Sequence, residues 1–122
     1  MIYTTYFAKV KDLPETITPV SIARKAPDGW KNLTYTKLAP TKEILSDWKE
    51  NPNESKYFNQ FFDKVLGKLH ADEVLAELYA LVKTADVALV CYEKTGDFCH
   101  RHLVADWFKE SGFEAEEYAW EN

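Results

Sequence analysis

Cysteine, glycine and long apolar runs are scarce in this chain, and each shortage excludes a class of protein. Only two of the 122 residues are cysteine, too few for a secreted disulfide scaffold, and in a reducing compartment both would be free thiols. No apolar run approaches the roughly 18 residues of a membrane span, and the first residues lack the basic and apolar regions of a secretory signal. The four glycines form neither a Gly-x-Gly-x-x-Gly nor a Walker motif, so no dinucleotide or triphosphate cofactor is predicted. We therefore expect a cytoplasmic protein that does not bind membranes.

Charge is distributed unevenly along the chain. The net charge of −5 argues against general binding to duplex nucleic acid or to anionic membranes. Residues 20–42 nevertheless carry +4, from five basic residues against Asp28, whereas the remainder of the chain carries −9. This basic segment predicts a local positive patch that could attract a small anion.

The pattern of apolar residues predicts a single α/β domain over residues 1–122. Strands are predicted at 2–10, 20–23, 86–92 and 113–120, and helices after Thr41 and at 57–69, 72–82 and 100–110. The run at 86–92 is apolar throughout, which is typical of a central strand covered on both faces. Gly112 is placed for a left-handed cap at the end of the last helix. The order of elements favours a three-layer sandwich with a mostly parallel, Rossmann-like sheet.

Residues 91–102, with the sequence CYEKTGDFCHRH, hold both cysteines and two of the three histidines. An apolar strand precedes this 91–102 segment and a helical pattern follows it, so the segment predicts a strand-to-helix crossing. In open α/β sheets, ligands bind at such crossings. The crossing is therefore the candidate functional site.

Four side chains of the 91–102 segment are candidates for catalysis. With Asp97 as helix cap, Cys99 would lie in the first turn, where the helix dipole and nearby cations could lower the pKa of its thiol from about 8.5. His100 could handle protons, and Glu93 could be a general acid or base or instead an ion-pair partner of Arg101 or Lys94. Cys91 ends the apolar strand, and packing is the more favoured role for that residue.

Four further residues are candidates for binding an anion. Arg101, beside free helix N–H groups, could clamp a phosphate or carboxylate, although Asp97 would compete for the same N–H groups. Arg24 and Lys25 follow the second strand, and Trp30 lies in the long connection after them. Cations combined with an aromatic face suit a phosphorylated or nucleotide-like ligand. The alternative is that the cations are solvated and the aromatic residue lies in the core.

A zinc site is not favoured, and no metal is predicted. Cys91, Cys99, His100 and His102 are four possible ligands. Zinc motifs usually place paired ligands two to four residues apart, and neither the long gap between the cysteines nor the adjacent Cys-His pair fits that spacing. On a helix, moreover, side chains two residues apart do not face the same way, so His100 and His102 would diverge.

The 91–102 segment resembles the signature of the domain-of-unknown-function family 488, a Cys-x-Glu followed after a short loop by Cys-His-Arg. The motif matches at Cys91, Glu93, Cys99, His100 and Arg101 without a departure, and weaker similarity extends over residues 20–27, 38–41 and 57–66. The resemblance implies a small α/β domain and supplies no established reaction.

The sequence leaves three classes of function open. The first is a module that binds a small anionic ligand, phosphorylated or nucleotide-like, in the crevice formed by the 91–102 segment. The second is a thiol-dependent enzyme that uses Cys99 or Cys91 as nucleophile with Glu93 or His100 as acid or base. The third is an interaction protein that dimerises through its aromatic residues. Whether the chain is an enzyme is undecided at this point, and it could be a monomer or a homodimer.

Overall fold

All five strands of the central sheet run parallel in a computed structural model that describes residues 1–93 and 97–119. The strands are β1 (Ile2–Tyr6), β2 (Ile17–Ser21), β3 (Leu33–Thr34), β4 (Asp86–Cys91) and β5 (Ala115–Glu117). Their spatial order is β3-β2-β4-β1-β5, so β4 is the middle strand. The predicted α/β class, the parallel sheet and the central place of the apolar strand are therefore confirmed.

The first, second and last predicted strands differ from the observed strands in their bounds. The first strand ends at Tyr6, and a 3-10 helix covers Phe7–Asp12 instead of further strand. The second strand starts at Ile17 and includes Pro19, which pairs with Ala88. Because β3 pairs only with Val20 and Ser21, Pro19 lies where β2 is still the sheet edge, a position at which the missing N–H is tolerated. The last predicted strand is shorter than expected, and its end at residue 120 lies outside the described residues.

Four α-helices follow the predicted pattern with changes at their ends. They are α1 (Lys42–Glu50), α2 (Glu54–Lys64), α3 (Ala71–Leu81) and α4 (His100–Glu110). Thr41 caps α1 as predicted, since its hydroxyl oxygen accepts from the Ile44 N–H at 3.2 Å. At the end of α4, Gly112 has a φ of 93°, and Phe113 N–H donates to the Phe108 carbonyl at 3.0 Å. The predicted left-handed cap is thus present, in its Schellman form.

The helix predicted over 57–69 is interrupted. After α2 the chain makes a separate 3-10 turn at Leu66–Lys68. A Cβ on Gly67 would lie 2.8 Å from the Phe62 carbonyl oxygen, so glycine allows the backbone to double back this closely. One stripe of the helix, with Tyr57 and Phe61, is buried, whereas Phe58 and Phe62 are exposed by 44% and 42%. The apolar pattern predicted a wider buried face than the helix has.

The topology places a crevice at the carboxyl ends of β2 and β4. Right-handed crossovers put the connection after β4 on the opposite face of the sheet from those after β1 and β2. Both α4 and the 3-10 helix at 7–12 contact β1 and β4. The residues that follow β2 and β4 therefore diverge and leave a space between them, as open α/β sheets do at their ligand sites. Within residues 1–93 and 97–119, no helix is long and apolar enough to cross a membrane.

Candidate functional site

A cavity of about 390 Å³ occupies the crevice beyond β2 and β4, a size within the range of small-molecule sites. Its walls come from the ends of both strands, from α1 and α2, and from the start of α4. The lining residues are Ala23, Arg24, Lys25, Pro40, Leu45, Trp48, Tyr57, Cys91, Tyr92, Glu93, Phe98, Cys99 and His100. Six of the eight residues singled out from the sequence therefore meet at one cavity. Arg101 and Trp30 do not line it.

The two cysteines are joined in a disulfide on the wall of this cavity. Cys91 is the last residue of β4, and Cys99 directly precedes α4, so the disulfide joins the end of the strand to the start of the helix. The expectation of two free thiols is wrong for this structure, because the crossing brings the sulfur atoms within bonding distance. Both side chains are nevertheless almost completely buried, with 1% and 3% of their surface exposed.

α4 starts at His100, the first residue of its predicted range, and not two residues earlier as a cap at Asp97 would require. Asp97 is not the helix cap, since the cap position belongs to Cys99, whose extended backbone has φ −154° and ψ 144°. The Cys99 side chain makes no cap hydrogen bond. Cys99 therefore stands at the N-terminus of α4 without hydrogen-bonding the N–H groups of its first turn.

His100 is held in one tautomer by the backbone. Its Nε2 lies 2.8 Å from the carbonyl oxygen of Ile22, and because a carbonyl only accepts, Nε2 carries the proton. Nδ1 then has a free lone pair and faces the Cys99 sulfur at 3.8 Å. Burial lowers the pKa of His100 to about 4. The hydrogen bond to Ile22 opposes this effect in part, and the nearby Arg101 charge adds a smaller lowering. His100 is therefore neutral at pH 7.

The buried neutral His100 makes stability depend on pH in a direction that can be measured. An unfolded histidine titrates near 6.5, so between that pH and about 4 the unfolded chain binds more protons than the folded chain. We expect His100 alone to remove up to about 3 kcal/mol of the free energy of unfolding as the pH falls from 7 to 4. Urea unfolding of the wild type and of His100→Gln at several pH values would measure this. Gln retains an N–H that can reach the Ile22 carbonyl.

His70→Gln is the matched control for this experiment, since His70 is exposed at the start of α3. Its stability profile should parallel that of the wild type. The difference between wild type and His100→Gln should shrink toward acid pH. Parallel profiles for those two proteins would contradict a neutral buried His100.

Arg101 lies behind the cavity, with none of its side chain exposed. Its Nε and Nη2 donate to the two carboxylate oxygens of Glu117 at 3.0 and 2.7 Å. Nη1 donates to the backbone carbonyl of Glu93 at 2.5 Å and to the Cys91 sulfur at 3.3 Å. The guanidinium group also lies 5.8 Å from the ring centroid of Tyr6. Arg101 therefore contacts Cys91 of the disulfide and the backbone of Glu93, and it does not line the cavity. Its predicted role as an anion clamp stays a prediction.

Glu93 lies at the mouth of the cavity and is exposed. Arg101 binds its backbone carbonyl, while the carboxylate bound by Arg101 is that of Glu117. The alternative partner, Lys94, lies outside the described residues. Burial raises the pKa of Tyr57, and the Glu93 charge adds to that effect, so the Glu93 carboxylate is close enough to influence this cavity residue.

The cations of the basic segment reach the cavity only in part. Arg24 and Lys25 are exposed and line the same cavity as the cysteines. Trp30 instead donates its indole N–H to the Leu33 carbonyl at 3.1 Å. Its ring packs on Phe7, with 5.0 Å between centroids, and Phe7 packs on Tyr92 at 4.8 Å. Trp30 therefore supports the cavity wall through two other rings, and its predicted contact with a ligand stays a prediction.

Three of the four side chains considered for zinc come together. Ligand atoms of Cys91, Cys99 and His100 lie within 4.8 Å of one another, while His102 is half-buried next to the backbone of Asp97. In the disulfide the two sulfur atoms are bonded to each other. The prediction that no metal binds here stays a prediction.

The sequence did not indicate the aromatic wall or the partner of Arg101. The rings of Trp48, Tyr57 and Phe98 contact one another, with centroids 4.9 to 5.6 Å apart. The spacing of Trp48 and Tyr57 along their helices is that of core residues, so it gives no sign of a ligand site. Glu117 carries no local signal at all, since it is an acidic residue in the last strand, 16 positions from Arg101.

Comparison with known proteins identifies the family of the chain. The family model described as the active DUF488-N3 subclade matches residues 8–112, which includes the cavity and the whole 91–102 segment. No curated protein and no solved structure matches the chain. The matched span covers most of the 122 residues, and the chain therefore belongs to the DUF488 family.

Proposed function

We propose that this protein binds a small anionic ligand, phosphorylated or nucleotide-like, in the cavity beyond β2 and β4. One observation carries the proposal: exposed cations and a cluster of aromatic rings line the same small-molecule-sized cavity. Arg24 and Lys25 would bind the anionic group. Both side chains are exposed at the rim of the cavity. They are therefore hydrated before a ligand binds, and the free protein does not bear the free-energy cost of a buried charge.

The aromatic cluster suits the rest of such a ligand. Trp48 stacks on Phe98 with planes 27° apart, and Tyr57 meets Phe98 edge-on. These contacts fix the rings before a ligand enters, so little side-chain freedom is lost on binding. Stacking of a base on an aromatic ring contributes about 1 to 3 kcal/mol.

Arg101 has a different part in this proposal from the one that the sequence suggested. A phosphate at its guanidinium group would have to replace Glu117, which already accepts two charge-assisted hydrogen bonds from it. We therefore assign Arg101 as a positioning residue that holds Cys91 and the Glu93 backbone in the cavity wall.

Removal of both rim cations should weaken anion binding. Isothermal titration of the wild type with adenosine monophosphate and with inorganic phosphate would give the reference affinities. A charge-assisted hydrogen bond contributes about 1.5 to 3 kcal/mol, so the Arg24→Ala, Lys25→Ala double variant should bind at least about tenfold more weakly.

The control variant is Lys31→Ala combined with Lys42→Ala, which removes the same charge from the same segment at positions that do not line the cavity. It should bind with an affinity close to that of the wild type. Equal affinities for the rim variant and the wild type, or no binding of either anion to any of the proteins, would refute the proposal.

A thiol-dependent enzyme is a second candidate, favoured by the surroundings of the two sulfur atoms. Arg101 donates to the Cys91 sulfur, and a hydrogen bond from a cation stabilises a thiolate. The free Nδ1 of His100 faces the Cys99 sulfur, where it could accept a thiol proton. The family model is described as an active subclade, a description that fits an enzyme and names no reaction.

This second candidate is tested on chemically reduced protein. The rate of alkylation by iodoacetamide would be followed against pH for Cys91→Ser and Cys99→Ser, each of which leaves a single thiol. A thiol alkylated rapidly well below the ordinary value of about 8.5 supports the thiol enzyme. Two thiols that react only near that value would eliminate it.

A further inference from the structure

We infer that the small anion accepted by the cavity is a thiol of low molecular weight, and that the Cys91–Cys99 disulfide oxidises it. The inference rests on the proposed anion binding at Arg24 and Lys25 and adds the reactive group of the ligand. Its basis is a juxtaposition: a disulfide and exposed cations line the same cavity. A small molecule whose carboxylate or phosphate binds to the cations would hold its thiol inside the cavity that the cysteines also line.

The burial of the disulfide restricts what can reach it. The cysteines are only 1% and 3% exposed, yet both line the cavity. A cysteine on the surface of another folded protein could not approach sulfur atoms placed this deep. A molecule that fits a volume of about 390 Å³ can.

The environment of the two sulfur atoms differs, and the difference sets the direction of the exchange. In a thiol–disulfide exchange, one sulfur is attacked and the other leaves with the electron pair. The Cys91 sulfur accepts a hydrogen bond from the fully buried Arg101 at 3.3 Å, so Cys91 is the leaving group that is stabilised as a thiolate. Cys99, on the cavity wall at the start of α4, is then the sulfur that is attacked.

The reaction balances in two steps. The thiolate of the first ligand attacks the Cys99 sulfur, a mixed disulfide forms, and the Cys91–Cys99 bond breaks with its electron pair on Cys91. A second ligand thiolate attacks the ligand sulfur of the mixed disulfide and releases Cys99. Two thiols have then become one disulfide, and the cysteine pair has gained two electrons and two protons. The reverse reaction, with the small disulfide as oxidant, restores the starting state.

The test compares three small thiols that differ in charge. They are 3-mercaptopropionate, 2-mercaptoethanol and cysteamine, which carry a negative, a neutral and a positive group. The rate at which each reduces the disulfide of the intact protein is divided by its rate with a small unhindered disulfide, which removes differences in intrinsic reactivity. At low ionic strength, attraction by the rim cations should favour the anionic thiol over the neutral one by about tenfold.

Variants show which residues cause the preference for the anionic thiol and which cysteine is attacked. Arg24→Ala with Lys25→Ala should abolish the preference for the anionic thiol over 2-mercaptoethanol, whereas Lys31→Ala with Lys42→Ala should retain the preference. In Cys91→Ser, the disulfide of 3-mercaptopropionate should form a mixed disulfide on Cys99 that intact-mass measurement detects. In Cys99→Ser, the same reagent should modify Cys91 much more slowly.

The outcomes separate this inference from the proposed function. If none of the three thiols reduces the folded protein, or if the anionic thiol has no advantage, the inference is wrong. If adenosine monophosphate or phosphate still binds in that case, the proposed anion binding stands without the thiol reaction. If neither anion binds and the thiol preference is also absent, both proposals fail together.

Discussion

Glu117→Gln should lower the free energy of unfolding by about 3 to 5 kcal/mol, because it breaks an ion pair to a buried arginine. Arg101 is fully buried, and Glu117 supplies the two carboxylate oxygens that its Nε and Nη2 contact. The amide cannot neutralise the guanidinium group, so a buried charge is left without compensation. Urea unfolding at pH 7 measures the loss.

Glu116→Gln is the matched control, because it makes the same chemical change one residue earlier in β5, on an exposed side chain. Its effect should stay within about 0.5 kcal/mol. A double variant that replaces the pair with apolar residues, Arg101→Met with Glu117→Leu, should recover much of the lost stability, since no buried charge remains. Equal effects of the Glu116 and Glu117 substitutions would contradict the importance of this ion pair.

Phe61→Ala should also destabilise the protein by about 3 to 5 kcal/mol. Phe61 is completely buried in the main core, and its ring packs against Tyr57 and His100, with centroids 6.1 and 5.5 Å apart. Truncation would therefore open a space beside His100 as well as remove apolar contacts. Thermal and urea unfolding would both report the change.

The adjacent phenylalanine provides a control with identical chemistry. Phe62 is 42% exposed and stacks on Phe58 at the surface, so Phe62→Ala should cost less than about 1 kcal/mol. If the two substitutions cost the same, the assignment of the buried stripe of α2 would be wrong. The comparison also tests whether the buried face of this helix is narrower than its apolar pattern predicted.

The fold was predictable where neighbouring residues determine the structure. The apolar run of β4, the Thr41 cap and the Gly112 turn all depend on contacts within a few positions, and each is present. The end of α2 was not predictable from its stripe of apolar residues. It depends on the close approach of the Gly67 backbone to Phe62, which the stripe itself does not reveal.

The candidate site was predictable in position and only partly in chemistry. The strand-to-helix crossing gave the location because parallel sheets leave a crevice there. From the neighbouring residues alone, Arg101 was predicted to lie at a helix start and to bind an anionic ligand. The structure gives it Glu117, an anion from a distant strand, and pairs the cysteines that were expected to be free. Partners that only the tertiary fold brings together have no signature in a local motif.

The order of strands in the sheet has a consequence for the synthesis of the protein. β1 is made before the other four strands, yet its only strand neighbours in the described sheet are β4 and β5, which are made after β2 and β3. At about 5 to 20 residues per second, the first strand waits several seconds without a partner. During that time Ile2 and Tyr3 are open to other nascent chains, and the yield of folded protein should fall when translation slows before residue 86.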